Sequence, residues 1–194
     1  MRTYAAVAQA LGFLTLLALG VAALLTVALA VPSGRARIGG LLLGREGDAV
    51  GFAWLASLIA MGGSLYFSDI VGFAPCLLCW YQRIAMYPLV AVLGVALLRS
   101  DPAVWRFALP LSLIGLVISA YHVLIQFRPA LEVTSCGAGA PCSGRYVAVF
   151  GFVSIPWMAG GAFLFISTLL LALCQSERIT RGPPLVGDEE AAEG

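Results

Sequence analysis

Four of the five cysteines in this chain fall into two close pairs, and paired thiols are its side chains best suited to chemistry. The first pair lies in Pro75-Cys76-Leu77-Leu78-Cys79, where an apolar run begins that continues to Leu98. Proline suits the first turn of a helix, so this pair is expected to open one. On a helix, positions 76, 79 and 83 share a face, which brings both sulfurs and Arg83 together. A helix N-terminus and a nearby guanidinium each favour thiolate over thiol, and thiolate is the form that attacks disulfides or a quinone ring. The second pair sits in Ser135-Cys136-Gly137-Ala138-Gly139-Ala140-Pro141-Cys142. Its glycines and Pro141 predict a turn-rich, adaptable loop in water. A disulfide between Cys136 and Cys142 would close a small ring open to a partner's thiolate. Cys174 has no partner nearby in the chain and reads as a small packing or lipid-facing residue.

Other uses of four cysteines stay open on these residues alone. Two pairs of thiols can form a four-thiolate zinc site. Arg83 would then add positive charge beside a cation, so no metal is expected. Static disulfides bracing loops are a second alternative. Arg83 lies seven residues beyond Cys76, roughly 10 Å along a helix at 1.5 Å per residue. His122 lies six residues before Arg128 on a helix running the other way, roughly 9 Å inside the same face. Polar groups at such depth are costly and point to function. Together they could donate hydrogen bonds to a quinone head group. Snorkelling of Arg83 and a purely structural role for His122 are the plain alternatives.

The elements that must carry these residues are membrane helices. Apolar residues make up 61% of the 194 positions and charged residues 11%, too few to cover a water-facing surface. Five stretches have the length and apolarity of a membrane span: Tyr4–Val31, Val50–Phe67, Ile70–Leu98, Phe107–Phe127 and Val153–Cys174. Unpaired backbone is not tolerated in lipid, so the fold expected is an all-α bundle in the bilayer. The net charge of +1 speaks against nucleic-acid binding. All the basic residues are arginines. One alternate set of polar segments holds Arg35, Arg37, Arg45, Arg99, Arg106, Arg178 and Arg181; the other holds Arg2, Arg83, Arg128 and Arg145. The richer set belongs in the cytoplasm, which puts both cysteine pairs on the extracytoplasmic side. The first apolar run, with Ala28-Leu29-Ala30, resembles a signal peptide but is too long for one, and an uncleaved anchor is expected. The tail from Gln175 to Gly194 reads as a disordered cytoplasmic end.

The segment from Pro75 to Arg83, continued by Met86-Tyr87-Pro88, resembles the DsbB family of disulfide-bond formation proteins. So do Tyr121-His122 and the stretch Cys136 to Pro156, with Cys142-Ser143-Gly144-Arg145-Tyr146 and Phe150-Gly151-Phe152 inside it. The resemblance covers roughly Val50 to Cys174. It implies a four-helix core at 50–174; the extra helix and cytoplasmic linker expected at 1–49 depart from the family's pattern, and the tail follows at 175–194. It also implies a thiol:quinone oxidoreductase of the inner or plasma membrane. Such an enzyme reoxidises a DsbA-like thioredoxin-fold partner and passes electrons to ubiquinone or menaquinone. Carried over by motif, Cys79 faces the quinone and Cys76 is its disulfide partner. Arg83 and His122 would sit at the quinone, Cys136 would form the mixed disulfide with the partner, and Cys142 would be its mate. A vitamin K epoxide reductase-like enzyme is the neighbouring alternative, but there the loop pair precedes the C-x-x-C. A non-catalytic membrane scaffold with fixed disulfides is the other.

Overall fold

The computed structural model describes residues 2–132 and 141–181. Within them the chain forms helices α1 (Arg2–Ala30), α2 (Pro32–Leu42), α3 (Glu46–Leu65), α4 (Leu77–Arg99), α5 (Trp105–Phe127) and α6 (Ile155–Arg181). All but the short α2 are long and apolar enough to cross a membrane. The all-α membrane architecture read from the sequence is the one observed.

Helices α3 to α6 form a ring of neighbours: α3 packs on α4, α4 on α5, α5 on α6, and α6 back on α3. Leu89 and Leu93 of α4 and Phe163, Ile166 and Leu170 of α6 fill the centre. Lipid tails are as apolar as these side chains, so close packing and interhelical hydrogen bonds hold the ring together. Gly115 shows how close that packing is. A Cβ there would meet the Phe163 ring at 2.2 Å, so α5 and α6 approach only because the residue is glycine. Beside it, Ser112 Oγ donates to the Phe163 carbonyl at 3.0 Å and lies 2.9 Å from Ser167 Oγ.

The added N-terminal part departs from the simple linker expected at 32–49. Residues 32–42 are helical, with Pro32 in the first turn, and α2 packs on α6. The sharp corner between α1 and α2 is held by Arg35, whose Nε donates to the Leu29 carbonyl at 2.6 Å. That bond satisfies a carbonyl left open at the end of α1. Helix α1 runs along the outside of the ring against α6. Its N-terminus lies at the cysteine end, where Tyr4 meets Phe73 edge-on at 6.3 Å. The tail also differs from expectation, because α6 runs past Cys174 to Arg181. The reason is local: Glu177 accepts a hydrogen bond from Trp105 Nε1 and pairs with Arg106, tying the extra turns to α5.

Two irregular segments bring chain back to the cysteine end. The end of α3 widens into a π-type turn at Tyr66–Ile70, and Gly72 takes a left-handed φ of +82. These let Phe73 fold back to donate to the Phe67 carbonyl at 2.9 Å before Pro75 leads into α4. After α5, Val149 and Val153 exchange two backbone hydrogen bonds of 2.9 Å around a tight turn, and α6 follows.

Candidate redox site

Cys76 is the N-cap of α4 and Cys79 lies in its first turn, so the motif's three-residue spacing puts both sulfurs at one helix end. The sulfurs are 3.2 Å apart, with the Cys76 thiol donating to Cys79. This is a dithiol, with the two sulfurs already adjacent. The bond to Cys79, followed by burial, pushes the Cys76 thiol up to about 12.

Cys76 looks toward α5. His122 Nε2 lies 3.6 Å from Cys76 Sγ and 3.1 Å from the backbone carbonyl of Cys142. One imidazole therefore touches both cysteine-bearing segments. It is 2% exposed, and its Nδ1 is buried with no hydrogen-bond partner among the described residues. Cys142 is 0% exposed and shares a buried cluster with Cys76 and Ile125. The returning loop is clamped there by three groups. Cys142 N donates to Glu132 Oε1 at 3.1 Å, Gln126 Nε2 donates to the Gly144 carbonyl at 3.1 Å, and Ser154 Oγ donates to Gln126 Oε1 at 2.6 Å.

Cys79 borders a second space. A cavity of about 620 Å³ opens between α1, α3, α4 and α6. Cys79, Gln82, Arg83 and Ser64 line its cysteine end, and Cys76 and His122 are not among its lining residues. Arg83 is 9% exposed and held in place by α3. Its Nε donates to Ser64 Oγ at 2.9 Å and its Nη2 to the Ser64 carbonyl at 3.0 Å. The guanidinium also lies 5.3 Å from the Trp80 ring centroid. The ion pairs among the described residues are Arg45–Asp48 and Arg106–Glu177, so no carboxylate there neutralises Arg83. Phe73 stacks between Phe67 and Tyr146, at 6.1 and 5.0 Å, to form the rim. Away from this end the wall is apolar, with Leu55, Ile59 and Leu169 among its residues.

A family model described as Disulfide bond formation protein DsbB matches residues 47–174. The chain belongs to the DsbB family. It is 47% identical over 127 residues to Disulfide bond formation protein C of Bacillus subtilis (strain 168), covering 65% of this chain and 91% of that protein. It is 50% identical over 123 residues to a probable disulfide formation protein C of Halalkalibacterium halodurans, covering 61% and 89%. A Bacillus cereus relative, probable disulfide formation protein C 2, is 42% identical over 132 residues, covering 68% and 94%. No solved structure matches the chain. As a DsbB-family protein with five membrane-length helices, it is a multi-pass membrane oxidoreductase of disulfide formation.

The residues singled out from the sequence divide between two spaces. Cys79 and Arg83 share the large cavity, as their common helix face requires. His122 was expected beside Arg83, but it stands against Cys76 and Cys142, within 4.8 Å of Cys79, and does not line the large cavity. Cys142 was expected in a water-exposed loop; instead it is buried, because Gln126 and Glu132 pull the loop down onto α5. Cys136 lies outside the described residues. Cys174 is a buried packing residue about 28 Å along α6 from its start at the cysteine end. The Cys76, Cys79 and His122 ligand atoms lie within 4.8 Å of one another, close enough to bind a thiophilic ion. Sequence reasoning missed Ser64, Gln126 and Glu132. A lone serine in an apolar run carries no signal of the arginine it will hold.

Proposed function

We propose that this DsbB-family protein reoxidises an extracytoplasmic, DsbA-like thioredoxin-fold partner and passes the electrons to ubiquinone or menaquinone bound in the large cavity. The observation that carries the reading is the division of labour within one helical turn. Cys76 meets His122 and the Cys142 segment and is absent from the large cavity, while Cys79 touches that cluster and also borders the cavity with Arg83, so it bridges the two. The cavity suits a quinone because its end at Cys79 offers the guanidinium of Arg83, and its remaining wall is apolar; Gln82 Nε2 there is committed to Ser119 Oγ at 2.9 Å. A bound quinone would supply an acceptor for two electrons and two protons.

The protein's own steps are thiol–disulfide exchanges. The partner's first thiolate attacks Cys136 of the Cys136–Cys142 disulfide, and Cys142 leaves as a thiolate. Cys142 attacks Cys76 of the Cys76–Cys79 disulfide, and Cys79 leaves as a thiolate beside Arg83. The partner's second thiolate releases Cys136 and completes the partner's own disulfide. Cys136 then attacks Cys142, restoring the loop disulfide and freeing Cys76. Two electrons and two protons have moved from the partner to Cys76 and Cys79. His122 steadies the Cys76 sulfur in both steps and holds the Cys142 backbone within reach.

The test is trapping combined with stoichiometry. Purified protein in lipid, given a reduced thioredoxin-fold oxidase, should reduce one quinone per partner disulfide formed. Cys142→Ser should accumulate the partner on Cys136, because the resolving thiolate is absent. Accumulation on Cys76 would reverse the order, and absence of quinone reduction would remove the acceptor.

A further inference from the structure

The cavity has one wall that the family match does not include. Helix α1 lies ahead of residues 47–174, yet Leu14, Ala18 and Val21 line the cavity, at spacings that put them on one helical face. The helix is seated tightly near its cysteine-end half. A Cβ on Gly161 would come within 2.9 Å of Thr15 Cγ2, and one on Gly63 within 2.9 Å of Leu11 Cδ1. Beyond those contacts α1 and α3 stand apart, and the space between them is the cavity's apolar body. It extends along α3 from Ser64 to Phe52, about 18 Å at 1.5 Å per residue. The polar end, at Cys79 and Arg83, accounts for a ring-sized head group. The long apolar remainder, continuous with it, is shaped for a chain attached to that head.

We propose that α1 is the outer wall of the quinone cavity, and that its Leu14, Ala18 and Val21 face receives the isoprenoid tail. This rests on the quinone reading above and adds to it a part of the chain and a selectivity. The geometry makes α1 a discriminator of tailed quinones, because a tail-free ring held by the Cys79 end has only Leu11 of α1 beside it, against Gly63, and lies short of the Leu14, Ala18 and Val21 face. Burying a chain against this face removes apolar area from competition with lipid, and a bulky side chain there takes the place of that contact.

The experiment uses the full chain in phospholipid vesicles. A long-tailed quinone bearing a photoreactive group on its tail is cross-linked to the wild-type protein, and the labelled peptides are mapped by mass spectrometry. Label should appear in residues 4–30 as well as α3, and unlabelled long-tailed quinone should compete it away. Binding of long-tailed and tail-free quinones is then measured for Ala18→Trp and for Leu24→Trp, a lipid-side position 74% exposed. Ala18→Trp should weaken the long-tailed quinone about tenfold and leave the tail-free one within about twofold. Leu24→Trp should leave both within about twofold. Label confined to α3 and α6, or label displaced by phospholipid alone, would overturn the proposal. So would equal weakening of both quinones in Ala18→Trp. If the wild type binds neither quinone, the cofactor reading itself fails and takes this wall with it.

Discussion

Arg83 is the most informative residue to perturb, because its surroundings separate binding from positioning. It reaches the cavity with two of its donors already committed to Ser64, at 2.9 and 3.0 Å. Replacing it with leucine removes the charged donor at the Cys79 end. A hydrogen bond involving a charged group contributes about 1.5–3 kcal/mol, so Arg83→Leu should weaken quinone binding roughly 10- to 150-fold. Arg83→Lys keeps the charge but loses the planar fork, and an intermediate loss is expected. Ser64→Ala removes the hydroxyl acceptor and leaves the carbonyl, so it should cost about 1 kcal/mol, or roughly fivefold. Ser64 acts through Arg83, so adding Ser64→Ala to Arg83→Leu should change nothing further. The assay is quinone titration for the four variants and the wild type, alongside the rate of exchange between partner and loop pair. That rate should hold in all of them. Unchanged quinone binding in Arg83→Leu, or additive losses in the double variant, would refute the reasoning.

Three other outcomes are expected. Because its hydrogen bond to Cys79 and its burial hold the Cys76 thiol up near 12, it stays protonated far above neutrality. Thiolate is the reacting species, so a small alkylating reagent at neutral pH should leave Cys76 of the reduced protein unmodified, with labelling rising only toward that pH. Mass spectrometry of the Cys76 peptide checks this, and rapid neutral labelling would contradict it. An impermeant thiol reagent, applied to intact cells after reduction and mild opening of the fold, should reach Cys76, Cys79, Cys136 and Cys142. Labelling only after lysis would reverse the orientation read from the arginines. Cys174→Ala should keep partner oxidation near wild type, since that sulfur sits at the far end of α6; a loss like that of Cys79→Ser would be the contrary result.

The sequence made some parts of this protein legible because one physical constraint dominated them. Lipid forces long apolar helices, so the spans could be read from hydropathy alone. Helical periodicity put Cys79 and Arg83 on one face of α4. What escaped depends on contacts between distant segments. Arg83 and His122 were expected side by side, but helical spacing does not say which residues of α4 a group from α5 will stand against, and His122 meets Cys76 instead. Ser64 is 19 positions from the arginine it holds. The burial of Cys142 follows from Gln126 and Glu132, whose carbonyl, amide and carboxylate groups carry no pattern before the loop is folded. The position of α1 is set by Gly63 and Gly161, each needed for a close approach that only the folded neighbour reveals.

The nearness of Cys79 and Arg83 has an energetic consequence for the cell. They are four residues apart on α4, about 6 Å along the helix axis. An electron leaving the dithiol thus moves mostly sideways, through a small part of a hydrocarbon core about 30 Å thick. A full crossing is worth about 2.3 kcal/mol per charge per 100 mV, so this displacement couples to the field by only about 0.5 kcal/mol. The accompanying proton travels the same short path and cancels most of that. On the quinone reading proposed above, the transfer is close to electroneutral, and the rate of disulfide formation should stay the same in cells whose membrane potential has collapsed.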